Sequence, residues 1–167
     1  VLALCEIPVS KLNVPSLTNQ LTIVIDNIQD PGNLGTIIRT ADWFGIKNIV
    51  CSAQTVDVFS PKVVQATMGS VARVSVYYVD LIKDLMIPAT ELNQQIYGAV
   101  LNGNSIYEQE LSPSGFILIG NESNGISDQI LPFITQRIKI PSYTKTTESL
   151  NAAVATGIIC AEFMSRV

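Results

Sequence analysis

The sequence contains no histidine, and this absence excludes several kinds of active site. A Ser-His-Asp triad, a Cys-His pair and a histidine-ligated zinc ion all require an imidazole ring. Any proton transfer must therefore fall to carboxylates, lysine, tyrosine or the substrate itself.

Long hydrophobic runs are also missing. A membrane-spanning helix needs about 20 consecutive apolar residues, and the longest apolar stretch here, residues 152–164, is interrupted by Thr156, Gly157 and Glu162. No charged-then-apolar leader opens the sequence, so we expect no secretion signal. The cysteines are few and show no spacing pattern: Cys5, Cys51 and Cys160. These features favour a cytoplasmic protein with no membrane association and no disulfide framework.

Charged residues are scarce, at 14% of the chain, whereas hydrophobic residues make up 47%. Disorder is therefore excluded, and 167 residues suit one domain with a substantial core. The net charge of −4 argues against a chain that binds nucleic acid through bulk electrostatics. Positive charge is nevertheless gathered locally, because Arg137, Lys139 and Lys145 lie close together in the sequence.

Strands and helices are predicted to alternate along the chain. Short β-rich runs predict strands at 21–26, 49–51, 74–79, 96–101, 116–119 and 137–140. Helical spacing and caps predict helices at 34–44, 61–68 and 80–95, a short one capped by Ser127, and a closing one at 147–164. A turn is expected at Asn102-Gly103-Asn104. The alternation predicts an α/β fold with a mainly parallel sheet and helices on both faces.

A polar stretch follows the first predicted strand, at the place where α/β sheets present ligand-binding loops. It runs from Asn27 through Asp30-Pro31-Gly32-Asn33 to Arg39. The turn residues order the loop before a helix, whose free N–H groups favour an anion such as phosphate. Gly35 permits close backbone approach, and Arg39 offers a fork of donors. The alternative is a plain loop with a surface Arg39 paired to Asp42.

A second polar stretch, Gly120-Asn121-Glu122-Ser123-Asn124-Gly125, follows the strand at 116–119. Its glycines let backbone approach a flat ligand closely. The Gly-x-x-x-x-Gly spacing is not that of a P-loop, because Ile126-Ser127 follows it instead of Lys-Ser or Lys-Thr. Glu122 has an alternative structural role, in which it accepts hydrogen bonds from nearby backbone.

A third polar stretch, Glu148-Ser149-Leu150-Asn151, leads into the last predicted helix. Ser149 and Asn151 can cap that helix or hydrogen-bond a ligand. Leu150 can provide an apolar wall for a flat ring. On its own, this stretch is also compatible with an ordinary helix start.

In this order, the three stretches resemble the SpoU (TrmH-type) branch of the SPOUT methyltransferases. Ser149-Leu150-Asn151 followed by small residues is a hallmark of that fold. The resemblance covers residues 21–167 and implies transfer of a methyl group from S-adenosylmethionine to a ribose 2′-hydroxyl of ribosomal or transfer RNA, without a metal ion. It further implies a C-terminal trefoil knot and a homodimer whose active site is completed across the interface.

Carried over position by position, the resemblance implies two sets of residues. The catalytic set is Asn33, Arg39, Glu122, Ser149 and Asn151. The cofactor-binding set is Leu101, Gly103, Gly120, Glu122, Ile140 and Leu150. Because the pKa of arginine is above about 12, we expect Arg39 to hold a phosphate beside the ribose and not to act as a base. The family's Ile-Pro-Met-x-Gly loop is replaced by Ile-Pro-Ser-Tyr-Thr-Lys at 140–145, so the resemblance does not extend to cofactor contacts in 142–147.

Two other functions compete with this hypothesis. An RNA-binding or assembly module that has lost catalysis is disfavoured by the intact set of polar residues. A Rossmann-like dehydrogenase is disfavoured because no Gly-x-Gly-x-x-Gly follows the first strand. We expect residues 1–20 to link the domain to a preceding RNA-binding domain, the alternative being a single-domain protein trimmed at its start. Trp43 and Tyr107 are expected in the core or an interface and not as base-stacking platforms.

Overall fold

The computed structural model describes residues 6–7, 11–144, 146 and 148–166. Cys5 and Lys145 lie outside these residues, as does Thr147, the predicted start of the last helix. The strands are β1 (Leu21–Ile25), β2 (Asn48–Ser52), β3 (Ser75–Val79), β4 (Ile96–Ser105), β5 (Gly115–Ile119) and β6 (Gln136–Lys139). The α-helices are α1 (Pro31–Trp43), α2 (Pro61–Thr67), α3 (Ile87–Glu91) and α4 (Ala152–Met164). A π-helix, Leu81–Met86, runs directly into α3.

Within the described residues, the six strands form one sheet in the order β3-β2-β1-β5-β4-β6, and every neighbouring pair is parallel. Ile23 of β1 aligns with Ile49 of β2 on one side and with Ile117 of β5 on the other. The predicted parallel α/β fold is confirmed. Because parallel strands share their carboxyl edge, the loops that follow β1, β5 and β6 open on the same edge of the sheet.

The core lies on both faces of the sheet, as predicted. On one face, Ile23 and Ile25 pack in a buried cluster with side chains from α1 and α4, including Ile37 and Phe163. On the other face, Val24 of β1 belongs to a second cluster with residues of the π-helix and α3. Every residue of β1, β2 and β5 is buried, which explains why these strands are mostly apolar, with Thr22, Asn48 and Ser52 as buried polar exceptions.

Side-chain caps set the starts of the two long helices. α1 begins at Pro31, earlier than predicted, because the Asp30 carboxylate accepts from the Asn33 N–H at 2.7 Å and proline suits the first helical position. α4 begins at Ala152, later than predicted, because Asn151 is its N-cap. The helix predicted at 80–95 ends at Glu91.

Two local predictions were wrong. Ser127 caps no α-helix, because its hydroxyl donates instead to Asp26, and its carbonyl accepts in a turn that leads to a short 3-10 helix. Asn102-Gly103-Asn104 is no isolated turn but part of β4, in an irregular segment. Ala99 and Asn104 both align with Ile138 of β6, so the four residues between them leave the regular ladder.

Two aromatic side chains are not in the predicted core, whereas both described cysteines are buried. Trp43 is 84% exposed and Tyr107 is 48% exposed, so a core position is wrong for both. Cys51 and Cys160 are buried, and burial raises the pKa of the Cys160 thiol to about 12, so it stays protonated near neutral pH. Among the described residues, no helix has both the length and the apolar character needed to cross a bilayer.

Candidate functional site

Side chains from all three polar stretches meet at the carboxyl edge of the sheet. The Asn33 amide nitrogen donates to Glu122 Oε1 at 2.9 Å. The Asn151 amide nitrogen donates to Asn33 Oδ1, also at 2.9 Å. Residues separated by 89 and 118 positions in the sequence are therefore joined directly. We call this hydrogen-bonded chain, Asn151–Asn33–Glu122, the relay.

The relay has a fixed direction. The Oδ1 atom of Asn151 accepts from the N–H groups of Ala153 and Val154 at the start of α4, so its amide nitrogen must face Asn33. That contact in turn directs the Asn33 nitrogen to Glu122, which must act as an acceptor. Both amide donors of the relay thus point towards the Glu122 carboxylate. In such an arrangement successive hydrogen bonds reinforce one another.

Two polar contacts hold the Glu122 loop, residues 120–127, against the end of β1. The Asn121 side chain donates to the Asn27 carbonyl at 2.7 Å. The N–H and hydroxyl of Ser127 both donate to Asp26 Oδ2, at 2.8 and 2.5 Å. Asp26 is only 5% exposed, so its carboxylate is an internal anchor. These anchors were not predicted from the sequence, and the one available signal was an acidic residue directly after a mostly apolar strand.

Gly120 and Gly35 each allow two segments of the protein to pack closely. A Cβ on Gly120 would lie 2.2 Å from the Gly125 carbonyl carbon, so this glycine lets the loop fold back on itself. A Cβ on Gly35 would lie 2.4 Å from the Ala66 Cβ, so this glycine lets α1 and α2 pack closely. At both positions the side on which a Cβ would stand is occupied by other protein atoms.

Arg39 and Ser149 lie outside the relay. Arg39 is exposed, six residues beyond Asn33, which places it about 9 Å further along α1. Ser149 is exposed as well. Within the described part of the chain, neither side chain has a hydrogen-bond partner.

The alternative pairing of Arg39 with Asp42 does not occur. Asp42 instead accepts from Arg73 at 2.7 Å and from the Ser70 hydroxyl at 2.8 Å. The hydrogen bond from Arg73 is the main cause that lowers the pKa of the Asp42 carboxyl, with a smaller effect from nearby Lys47. Arg39 is therefore left available to an external anion.

A cleft of about 650 Å³ opens beside the predicted cofactor residues. Gly103 is part of its wall, and Lys139 and Pro141, which flank Ile140, also line it. Its remaining lining is Asn104, Ser105, Tyr107, Glu108, Gln109 and Tyr143. The volume is in the range of small-molecule sites. Sequence analysis did not predict the two tyrosines as lining residues.

Four other predicted cofactor residues do not line the cleft. Leu101 is 75% exposed and Leu150 is 47% exposed, so both present free apolar surface. Gly120 and Glu122 belong to the loop that carries the relay. The predicted set therefore lies in the irregular part of β4 and on the segments that follow β5 and β6, with Gly103 in the cleft wall.

A family model described as the SpoU rRNA Methylase family matches residues 20–161. The chain belongs to this family. Its three motifs, joined by the relay, lie within the matched region. The resemblance inferred from the sequence is thereby confirmed, together with the SPOUT class of the α/β fold, which the structural relatives share.

Among the relatives of this SpoU family chain is RlmP of Bacillus subtilis (strain 168), named as a 23S rRNA (guanosine(2553)-2′-O)-methyltransferase. It is 34% identical over 94% of the chain, which spans 61% of that protein. The solved structure of a TrmH-family protein from Porphyromonas gingivalis superimposes with a TM-score of 0.85 at 42% identity. The match covers 90% of the present chain and 61% of the Porphyromonas gingivalis chain.

A second solved structure is the SpoU methyltransferase AviRb from Streptomyces viridochromogenes, in complex with the cofactor AdoMet. Its TM-score is 0.85 at 26% identity, with 96% of the chain and 63% of AviRb covered. The SpoU family chain thus spans less than two thirds of each of these relatives. Within its described residues, no group of three His, Cys, Asp or Glu side chains is placed to hold a metal ion.

Proposed function

We propose that this chain carries the catalytic domain of an RNA ribose 2′-O-methyltransferase that uses S-adenosylmethionine and acts on ribosomal or transfer RNA. The observation that carries the proposal is the relay, because it joins the three family motifs into one polar site. Membership of the SpoU family supports it, as do relatives named for 2′-O-methylation of 23S rRNA and one relative solved with AdoMet.

S-adenosylmethionine would be held by the irregular part of β4 and by the segments that follow β5 and β6. The residues proposed for this are Leu101, Gly103, Gly120, Glu122, Ile140 and Leu150. They fit the cofactor because the adjoining cleft has a suitable volume and Leu101 and Leu150 offer exposed apolar surface for an adenine ring. The bound cofactor supplies a methyl group already activated by a positively charged sulfur.

The protein side chains then have to align the ribose and stabilise negative charge. Arg39 is exposed and has no hydrogen-bond partner among the residues that the structure describes, and it would hold an RNA phosphate through its guanidinium. The relay would hold the Glu122 carboxylate in place, with one of its oxygens occupied by the Asn33 amide nitrogen. Ser149, directly before Leu150 and the α4 cap, would contact ligand or RNA. As in the family resemblance, the proposal includes no metal ion.

We further propose the C-terminal trefoil knot of the SPOUT fold. The alignment of both Ala99 and Asn104 with Ile138 supports it, because a chain that paired on both sides of β6 would have to cross that strand. Gly103 is where such a crossing would occur. A Cβ there would lie 2.7 Å from the Ile138 carbonyl carbon, so only a hydrogen fits against the β6 backbone.

A homodimer forms part of the same proposal. α4 is apolar apart from Thr156 and Glu162, although Val154 is 52% exposed and Ala161 is also exposed. A helix without a broad polar face is normally covered on most sides. Because α1 packs against α4, a second copy on this face would bring Arg39 of one protomer near the site of its partner.

The complete protein is proposed to contain more than this domain, because the matched relatives are longer than the chain. Residues 1–20 would link the domain to an RNA-binding domain. That arrangement would supply the positive charge that a chain of net charge −4 lacks. A cytoplasmic location is proposed with it, because ribosomal and transfer RNA are the substrates.

The proposal is tested by two measurements on the purified chain. Calorimetric titration should show S-adenosylmethionine binding, and tritium transfer from labelled cofactor should report methylation of total ribosomal and transfer RNA. Arg39→Ala should abolish transfer and leave cofactor affinity unchanged. Lys83→Ala, an exposed cation on the opposite face of the sheet, is the matched control and should retain both.

Each negative result has a separate meaning. Absence of cofactor binding would overturn the proposed activity and favour an RNA-binding module that has lost catalysis. Transfer that survives in Arg39→Ala would overturn the role of Arg39 alone. Methylation of a base instead of the ribose, detected by nucleoside mass spectrometry, would overturn the assigned acceptor.

A further inference from the structure

Trp43, the only tryptophan of the chain, is exposed on the helix that carries the candidate site. Its side chain is 84% accessible, at the last position of α1. Thr36 and Arg39 precede it by seven and four residues and are exposed too, so the three share one helix face. The buried side chains of α1 lie on the other side, towards the core. We call this exposed stripe the α1 face.

The charges around Trp43 are predominantly positive. Arg39 lies one turn before it, and exposed Lys47 lies four residues after it. Asp42, the residue before Trp43, is already neutralised by Arg73 and hydrogen-bonded by Ser70. The α1 face and Lys47 together therefore form a local excess of cations in a chain whose overall net charge is −4.

We propose that the α1 face binds single-stranded RNA next to the methylated nucleotide, with one base stacked on Trp43. An aromatic ring beside arginine or lysine is the combination that binds single-stranded nucleic acid, because the ring stacks on a base while the cations meet phosphates. The inference rests on the proposed function, since it assumes an RNA substrate.

The position of Trp43 indicates which nucleotide it would hold. Ten residues separate it from Asn33, which corresponds to about 15 Å along the helix axis. A base stacked on Trp43 therefore cannot belong to the nucleotide held at the relay. The α1 face would instead select substrates with an accessible, unpaired base a short distance from the target ribose.

A second copy of the chain is the competing occupant of this face. In a two-fold symmetric contact centred on Trp43, the Arg39 side of one copy would face the Lys47 side of the other, and these like charges would repel. The apolar outer face of α4 carries no such charge between Val154 and Ala161 and suits a self-contact better. Charge complementarity thus favours RNA at Trp43.

The first test uses the fluorescence of this single tryptophan. We expect mixed-sequence single-stranded RNA of roughly ten nucleotides to quench Trp43 emission saturably. Inorganic polyphosphate, which has the charge but no bases, should cause little quenching. N-acetyltryptophanamide titrated with the same RNA corrects for absorption and collision. RNA that binds, as seen by anisotropy of a labelled strand, without quenching Trp43 would overturn the inference.

The second test measures methyl transfer to total ribosomal RNA. Trp43→Ala should raise the KM for RNA about tenfold, since stacking on one base contributes on that scale. Its kcat and its affinity for S-adenosylmethionine should stay near the wild-type values. Trp43→Phe should restore most of the RNA affinity, because phenylalanine also stacks. Leu92→Ala, an exposed apolar residue beyond α3, is the control and should have no effect.

The outcomes separate this inference from the proposed function. An unchanged KM in Trp43→Ala with normal methyl transfer would overturn the RNA role of Trp43 and leave the activity intact. A wild-type chain that binds no cofactor but whose Trp43 is quenched by RNA would overturn the activity and retain the α1 face. Loss of dimer mass in Trp43→Ala, with no change in RNA binding, would assign the face to a second copy.

Discussion

Asn151 uses the two ends of one amide for two purposes. Its oxygen caps α4 by accepting from Ala153 and Val154, and its nitrogen donates to Asn33. Helix stability and site geometry are thus coupled in a single side chain. Substitutions that keep only one end of the amide separate the two effects.

Asn151→Asp should keep the cap and break the relay. Aspartate accepts from the helix N–H groups at least as well as asparagine, so the free energy of unfolding should change by less than about 1 kcal/mol. It cannot donate to Asn33, so Glu122 loses its fixed donor. We expect methyl transfer to fall by about 100-fold, the scale of a 1 Å misplacement.

Urea unfolding and methyl-transfer rates measure the two effects separately. Asn151→Ser, which also caps without donating an amide proton, should behave like Asn151→Asp. Asn151→Ala should lose both activity and stability. An active Asn151→Asp variant would show that the relay is not needed to position Glu122.

The residues of the relay could be predicted from the sequence, but the hydrogen bonds between them could not. Asn33, Glu122 and Asn151 were predicted because each follows an apolar run at a turn, in a family motif. Their direct bonding could not be predicted, because contact between residues more than 80 positions apart depends on strand order. The anchoring of Ser127 by Asp26 was missed for the same reason.

At the scale of elements, the packing of α1 against α2 depends on Gly35. A Cβ at this position would lie 2.4 Å from the Ala66 Cβ and 2.9 Å from the Val63 carbonyl oxygen. A larger residue at position 35 would push α1 and α2 apart, and any shift of α1 would displace Asn33. Gly35 was predicted to permit close backbone approach at the site. It also helps to fix the position of Asn33, because it lets α1 pack closely against α2.

Gly35→Ala should lower the free energy of unfolding by about 1–3 kcal/mol, the usual cost of overpacking. Denaturant midpoints measured by circular dichroism test this value. Ala66→Gly alone should cost about 1 kcal/mol through helix propensity. In the Gly35→Ala background it should cost less, or restore stability, because it removes the nearer clash. Additive effects would contradict a direct contact.

The elements themselves were largely predictable, but the starts of the two long helices were not. Apolar runs and Gly45, which follows α1 with a φ of +73°, located the strands and the end of that helix well. The starts of α1 and α4 depend on which polar side chain turns back to the helix N–H groups. Several candidates precede each helix, and packing selects Asp30 and Asn151 among them.

For the whole molecule, the apolar outer face of α4 predicts self-association. Val154→Glu should convert the proposed dimer to a monomer, because the contact would bury an unpaired charge. Light scattering and sedimentation measure the mass directly. Leu92→Glu, on the other face of the sheet, should leave the mass unchanged. A dimer that survives Val154→Glu would place the contact elsewhere.

The parallel sheet was predictable from alternation alone, but its strand order was not. β1 lies between β2 and β5, and β4 lies between β5 and β6. This order brings the loop after the first strand beside the loop after the fifth. Local sequence carries no record of such neighbours, because ladder hydrogen bonds join backbone groups that are the same in every residue.

The relay also determines how late during translation the polar site can assemble. Asn33 leaves the ribosome 118 residues before Asn151, its hydrogen-bond partner. Until α4 has emerged, the nascent chain has a loop and a helix but no assembled polar site. A chain released before α4 has been translated therefore lacks the complete site. Only a chain whose last helix has been translated and packed in place has the assembled site.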